Sequence, residues 1–478
     1  MSRTLLSARW VIANENGNHV VLENGDVVLE NDCVVFVGHG FEGEVARRLD
    51  YGEAVISPGF VDLDALSDLD TTILGYDNFP AWKKGRVWPQ SYVERGPCEM
   101  YSAGELAFQK RFAFAELIRN GITTALPIAS LFYREWGETV EEFEAAADAA
   151  EGLGLRVYLG PAYRTGGQVV DEDGHIRAVY DEARGLRGLE EAAAFAHRID
   201  GCAGGRIRAM FSPDRIETAT QTLTRRAAAI AAEMGAPVRQ HCCQSATELR
   251  LVREQHGASP IEWLAAIGAL QPNWLLPHGT HATDGDFALM RDAGATLVHC
   301  PLVSARHGGI LKSFAKCRAM GLDIGLGTDT WPADMILNMQ VGMMAARIAD
   351  GPEAIRSEAM FDAATLGGAK ALGRDDLGRL AVGAKADVAV IDLSRVLQTP
   401  DPVQTIMTGC SGRDVRDVWI DGRHVMADRT IPGVDPAVDA ARAKAQFDGL
   451  IARYPERTLG HPPVAEIFVP SYPRRPSA

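Results

Sequence analysis

With 478 residues the chain is too long for one small core, and a large domain with a smaller companion is the natural expectation. Apolar residues make up 46% and charged residues 23%, the ordinary balance of a folded soluble protein. The 63 acidic against 48 basic residues leave a formal charge of −15, which speaks against non-specific binding to nucleic acid or to an anionic membrane. No window reaches about 18 uninterrupted apolar residues, so no membrane span is expected. The first residues, MSRTLLSARWVIANENG, lack the long apolar stretch and small-residue cleavage site of a secretory signal. Eight cysteines, at 33, 98, 202, 242, 243, 300, 317 and 410, show no paired spacing, which fits reduced thiols in a cytoplasmic protein.

Segment 1–57 alternates short β-rich runs with Asn16-Gly17 and Asn24-Gly25, and Asn-Gly between β-formers predicts hairpins. From 58 to 370 short apolar runs alternate with long Ala-rich helical stretches such as AGELAFQKRFAFAELIRN. The run PGFVDLD and seven others, at 121–128, 156–162, 206–213, 236–242, 273–279, 295–301 and 323–329, make eight βα units. Such a repeat predicts an α/β fold, a (β/α)8 TIM barrel. An open doubly wound sheet is the alternative, but no Gly-x-Gly-x-x-Gly follows an early strand. Residues 371–430 return to a β pattern, with Asp421-Gly422 as a further hairpin, so both chain ends read as antiparallel β. A helix and a Pro-rich tail fill 431–478, a surface segment or a subunit contact.

Six of the twelve histidines fall between 241 and 307. His241, His278, His281 and His299 sit at or just beyond the carboxyl ends of predicted strands, and Asp329 ends the last one. In a parallel barrel those ends converge on one face. A lone histidine beside an apolar strand reads more readily as a satisfied core residue, but four in register with an aspartate weigh against that for the set. The loop after the first barrel strand, ILGYDNFPAWKKGRVWPQSYVERGPCEMY, interleaves aromatics with Lys83, Lys84 and Arg86. It reads either as a lid for a planar or carboxylate-bearing ligand or as aromatics buried at the rim. Trp82, Trp88, Arg164, His281, His299 and Trp331 are the substrate-binding candidates, and Arg306 and His307 also reach inward on this reading.

The segments PGFVDLDAL, FAELIRNGITT, PVRQHCCQS, LLPHGTH, VHCPLVS, GLGTDT and LGRLAVGAKADVAVIDL, in this order and spacing, resemble the deaminase and chlorohydrolase branch of the amidohydrolase superfamily over nearly the whole chain. The resemblance implies a (β/α)8 barrel with a small β-sandwich domain formed from the N- and C-terminal segments, and a homodimer or homotetramer. The implied division is 1–57 and 371–430 for the sandwich, 58–370 for the barrel and 431–478 for the tail. Position by position, it makes His241 and Asp329 metal ligands, Asp329 the proton acceptor from water, and His278 a contact to that water or to substrate.

Three departures stand against the pattern. The paired histidines of the first strand are Asp64 and Leu66, and the glutamate three residues after His241 is Gln244. A carboxylate can hold a divalent ion and an isobutyl group cannot; an amide cannot exchange a proton near neutral pH. Strand four also offers no lysine to bridge two metals, and it reads Pro213-Asp214-Arg215-Ile216. The expected metal set is therefore Asp64, His241 and Asp329, with His278 as a possible fourth, holding at most one ion (Zn, Mn or Fe). The opposite reading is no metal, with Leu66 filling the vacancy. Asp329, His278 and Gln244 are the catalytic candidates. The function that follows is hydrolysis of C–N bonds in a small molecule of amide, urea, guanidine or aminoheterocycle type. The alternatives are metal-independent acid–base chemistry and a catalytically silent binding or assembly partner.

Overall fold

Eight short strands follow one another in chain order: β1 (Phe60–Leu66), β2 (Ile122–Ile128), β3 (Arg156–Leu159), β4 (Ile207–Ala209), β5 (Val238–Arg239), β6 (Trp274–Pro277), β7 (Thr296–His299) and β8 (Asp323–Leu326). The computed structural model describes residues 3–69, 87–312, 314–473 and 475. The strands pair in parallel as two four-stranded sheets, β1 to β4 and β5 to β8. At one seam Phe211 bridges Val238, and Arg239 N donates to Phe211 O at 2.9 Å. At the other, Asp329 N donates to Asp64 O at 2.8 Å, and the Asp62 carboxylate accepts Thr328 N at 3.0 Å and Thr328 Oγ1 at 2.5 Å.

The near-continuous apolar strands follow from burial on both faces. Val61, Leu63, Leu126, Tyr158, Met210, Leu275, Val298 and Cys300 point inward and form a core of their own. Their neighbours Phe60, Val157, Ile207, Trp274 and Leu297 face the surrounding helices and join the largest core. Ser102, Thr139 and Thr283 each start a helix with a capping box, closed by Glu105, Glu142 and Asp286.

Both chain ends meet in one eight-stranded sheet, in which Ala54–Pro58 pairs in parallel with Arg3–Glu15 and antiparallel with Val388–Asp392. Asn16-Gly17 and Asp421-Gly422 make the expected turns, with φ of 50° and 85°, and 52° and 71°. Asn24-Gly25 does not. The strand Asn18–Glu30 runs through it without a change of register, and Gly25 is required there by close packing, since a Cβ would meet Val11 Cγ2 at 2.9 Å. The chain reverses instead at Asn31-Asp32, between Glu30 and Cys33. Arg156 ties the two regions together, donating to Asp387 at 3.0 Å and to Asp421 at 2.7 Å. The tail helix Pro436–Arg453 lies against Ala103–Arg119, where Gln109 donates to Gln446 at 3.2 Å. All eight cysteines are free thiols. No described helix is long and apolar enough to cross a membrane.

Candidate active site

The site begins with an irregularity in β1. Asp62 pairs with Ala125 and Ala65 with Pro127, so β1 advances three residues while β2 advances two. The extra residue is a β-bulge, a device that re-aims a side chain. Here Leu63 stays in the inward core while Asp64 is also turned into the interior.

Asp64 meets side chains from the ends of two other strands, β5 and β7. Its Oδ1 accepts from Arg239 Nη1 at 2.8 Å. Its Oδ2 lies 3.7 Å from His241 Nε2 and 3.7 Å from the Cys300 thiol. His241 stacks on His278, with centroids 5.3 Å apart and planes at 22°. His278 Nε2 lies 3.7 Å from Asp329 Oδ2. Ligand atoms of Asp64, His241, His278 and Asp329 all fall within 4.8 Å of one another. His278, Asp329 and Asp214 carry positive φ of 80°, 44° and 39°, strain of a kind that clusters at functional sites.

Electrostatics fix the form of each group. His241 Nδ1 lies 3.0 Å from Asp214 O, and a carbonyl only accepts, so Nδ1 carries the proton and Nε2 presents its lone pair. Burial first, then Arg239 and Arg215, hold His241 well below the usual imidazole range, so the ring is neutral. Burial likewise holds His278 well below that range, and at 1% exposure neither of its ring nitrogens has a hydrogen-bond partner among the described residues. Burial raises Asp64 above the usual carboxylate range, against the opposing pull of Arg239.

The His241 lone pair therefore faces, at 3.7 Å, the same Asp64 oxygen that the Cys300 thiol approaches as a donor at 3.7 Å. A divalent ion bound at about 2.1 Å to each would separate two tetrahedral ligands by roughly 3.4 Å. Together with the orphaned nitrogens of His278, this donor set fits one ion. It does not fit two, since Leu66 offers no donor and Asp64 Oδ1 is engaged by Arg239.

Above these groups opens a pocket lined by Leu66, Arg164, Asp214, Gln244, His307 and Asp329, among others. Gln244 is half-buried at its wall, and its backbone N–H donates to Glu248 at 2.9 Å. Trp88 is buried under the Arg164 guanidinium, 4.8 Å from its ring centroid. The remaining sequence candidates lie elsewhere. His299 does not reach the pocket: in β7, Val298 and Cys300 face inward and His299 packs on Phe314 in the strand–helix layer, 5.4 Å between centroids. His281 is exposed beyond the turn after β6, its N–H given to Cys243 O. Trp331 stacks on Phe112 at 5.4 Å, in a separate small cleft. Arg306 donates to Thr330 Oγ1 at 2.7 Å and to Trp331 O. Trp82, Lys83, Lys84 and Arg86 lie outside the described residues.

Several groups that sequence reading passed over matter here. Arg239 is two residues before His241, so strand alternation alone places it on the same inward face. A buried network fixes the mouth. Lys110 Nζ contacts Glu142 at 2.7 Å, Ser67 Oγ at 2.8 Å and Glu138 at 3.4 Å. Glu138 in turn accepts Ala129 N at 2.9 Å and Ala162 N at 2.7 Å. Ser67, Ala129 and Ala162 follow β1, β2 and β3, so one lysine and one glutamate hold three strand ends in register.

Imidazole and carboxylate donors gathered at the carboxyl ends of parallel strands, beside a sheet built from both chain ends, define an α/β protein of the metal-dependent hydrolase type. The chain belongs to the amidohydrolase family, whose model matches residues 55–425. It is 28% identical over 463 residues to the 5-methylthioadenosine/S-adenosylhomocysteine deaminase of Halobacterium salinarum, covering 95% of this chain and 99% of that one. It is 24% identical over 442 residues to the 5′-deoxyadenosine deaminase of Methanosarcina mazei, covering 90% and 95%. Its fold is similar to that of a zinc-bound adenosine deaminase from Xanthomonas campestris, with TM-score 0.77, 21% identity and coverage of 94% and 98%. It is also similar to an atrazine chlorohydrolase mutant from Arthrobacter aurescens TC1 complexed with zinc and atraton, with TM-score 0.78, 20% identity and coverage of 93% and 100%.

Proposed function

We propose that this chain hydrolyses C–N bonds of small molecules from the pocket over Asp64, His241, His278 and Asp329. The observation that carries the reading is the gathering of ligand atoms of Asp64, His241, His278 and Asp329 within 4.8 Å of one another, a donor set that fits one cation. The scaffold on this reading is a closed (β/α)8 barrel, 58–370, beside a small β-sandwich of 1–57 and 371–430, with 431–478 as a tail. The working form is a cytoplasmic homodimer or homotetramer that takes neither nucleic acid nor membrane.

Asp64, His241 and Asp329 would hold one divalent ion, with His278 adjacent, and zinc is the ion named with the structural neighbours. Such an ion supplies Lewis-acid activation of water. Asp329 takes the proton from the attacking water. Neutral His278 offers an N–H to oxygen or nitrogen as charge develops on it. Gln244 orients the departing group by hydrogen bonds but cannot protonate it, so the reaction suits a substrate whose leaving group needs little acid help.

The test pairs elemental analysis with ammonia release. The first substrates are 5-methylthioadenosine and 5′-deoxyadenosine, the compounds for which the relatives are named, followed by simple ureas and guanidines. Near-stoichiometric metal, lost in His241→Ala, with hydrolysis lost in Asp329→Asn, supports the reading. Metal-loaded protein inert toward every C–N substrate class would sink it. The Arg239–Asp64 ion pair favours one second reading, acid–base chemistry without a metal, because Asp64 already has a cation beside it. Full turnover by chelated, metal-free protein would establish that reading instead.

A further inference from the structure

The chain after Arg453, a surface segment by its sequence, is in part buried: Tyr454 and Arg457 are each 1% exposed and Ile467 2%. Tyr454 and Ile467 share a small separate core with Tyr133, and Phe132 and Phe468 pack against it. Phe132 and its neighbours Ser130 and Leu131 are also a wall of the pocket. The segment after β2 thus has the pocket on one side and the tail on the other. Its two ends are fixed, Ser130 N by Asp68 at 2.8 Å and Arg134 by Glu142 at 2.6 Å and Glu99 at 2.7 Å. Between them Phe132 O and Tyr133 O accept long bonds, from Trp88 Nε1 at 3.4 Å and Met100 N at 3.3 Å.

At the centre of the tail contact lies a cation that nothing answers. None of Nε, Nη1 and Nη2 of Arg457 has a hydrogen-bond partner among the described residues. Its guanidinium lies 5.3, 5.7 and 6.0 Å from the ring centroids of Tyr133, Tyr92 and Tyr454. Cation–π attraction reaches to about 6 Å, so these contacts fall at its weak end. They offset only part of what it costs to take a guanidinium out of water. Ring burial therefore seats the tail while Arg457 works against it. The polar ties at the rim are exposed and exchange readily for water: Arg95 Nη2 donates to Glu456 O at 3.0 Å, and Ser91 Oγ to His461 Nε2 at 2.9 Å. With the tail seated the pocket holds about 80 Å³. A cavity that takes up benzene measures roughly 150 Å³, so a ring-bearing molecule needs the wall to give.

We propose that Tyr454–Phe468 is a releasable strap behind the pocket wall, that the unpaired Arg457 keeps its seated and released forms close in free energy, and that ring-bearing molecules bind the released form. Arg457 is then a positioning residue that acts through Phe132. Only the step from bound molecule to substrate rests on the hydrolase reading above. Hydrogen exchange of the full-length protein, followed by mass spectrometry over 130–133 and 454–468, tests the strap without any turnover. Replacing a buried charge by an apolar side chain of similar volume is neutral or stabilising. Arg457→Met therefore seats the strap more firmly and slows exchange in both segments together by about 10-fold. Tyr454→Ala, which removes ring burial and keeps the cation, speeds it in both, and this variant carries the test if Arg457→Met does not fold. Exchange in 130–133 that quickens in folded Arg457→Met, or that stays at the parent rate in Tyr454→Ala, overturns the proposal, because Arg457 would then be a plain anchor or the wall independent of the tail. Apparent affinity scales with the population of the competent form, so Arg457→Met raises KM by the factor read in exchange and keeps kcat. An unchanged KM beside slowed exchange removes the strap from ligand entry. The linked exchange in a protein that hydrolyses nothing would sink the proposed function and leave the strap; hydrolysis with unlinked exchange would do the reverse.

Discussion

Arg239→Met is the sharpest perturbation of the site that leaves its donor atoms in place. Arg239 and Asp64 are both fully buried and 2.8 Å apart, so the substitution strands a carboxylate in the interior. Breaking a buried pair from one side costs about 3–5 kcal/mol. With roughly 2 cal/mol/K of unfolding entropy per residue, a cooperative unit of about 300 residues loses about 1.6 °C per kcal/mol, so the midpoint falls by about 5–8 °C. The assay is calorimetric unfolding in chelator, followed by the same scan with zinc. With its guanidinium partner gone, Asp64 is fully available, so zinc binds the variant more tightly than the parent. At 100 times Kd it returns about 2.7 kcal/mol. Asp64→Asn/Arg239→Met destabilises by less than the two single changes added together, which isolates the pair. An Arg239→Met protein that melts within about 1 °C of the parent in chelator would refute the reasoning.

Lys110→Met leaves Glu138 and Glu142 short of a buried cation and releases the strand-end frame; a loss of about 3–5 kcal/mol in denaturant unfolding is expected. Faster amide exchange at Ala129 and Ala162 than at the far end of β2 checks its local character. Burial lowers His299 to about 3 and His19 to about 4, whereas each titrates near 6.5 unfolded. The unfolded chain then binds more protons below pH 6.5, so stability is full above that pH and falls on acidification toward pH 3–4. The slope is at most about 1.4 kcal/mol per pH unit for each histidine. His299→Leu flattens a plot of melting temperature against pH over this window, and an unchanged slope would show that His299 is not the group responsible. Gln244→Glu restores a proton donor at the pocket wall and raises turnover of substrates with poor leaving groups by about 100-fold, with a new limb in the pH–rate profile. Identical profiles for both proteins would place the leaving group elsewhere.

Much of the architecture was legible because its signals are local. Strands buried on both faces must be apolar runs, and helix starts must satisfy their own N–H groups, so both are written in short windows. The convergence of His241, His278 and Asp329 was legible for a related reason: parallel strands in chain order bring their ends together whatever the details of pairing. What failed depends on register. His299 and its neighbours Val298 and Cys300 differ by one step, and a one-residue slip exchanges the inner face for the outer. Asn24-Gly25 has turn chemistry, but its strand keeps its partner across the whole length, and the reversal falls at Asn31-Asp32. The bulge that turns Asp64 inward exists only in the pairing of β1 with β2, and Arg239 meets a partner 175 residues away in sequence.

That pairing also explains why the replacements in β1 belong together. A site with a carboxylate and an isobutyl group where the family pattern has two imidazoles has fewer donors for a cation and more negative charge, and that added repulsion has to be answered from the protein. Arg239 answers it at Asp64 Oδ1 with a fixed charge, and Leu66 closes the adjoining space with an apolar side chain at the pocket floor. The consequence is a graded site rather than an all-or-none one. On the proposed reading Asp64 would divide its charge between the Arg239 guanidinium and a bound ion, so metal affinity would be lower than for a set of neutral imidazoles with an unshared carboxylate, and the fold would not collapse on chelation. Zinc content should therefore follow chelator strength continuously in the parent, while the melting temperature of chelated parent stays well above that of chelated Arg239→Met.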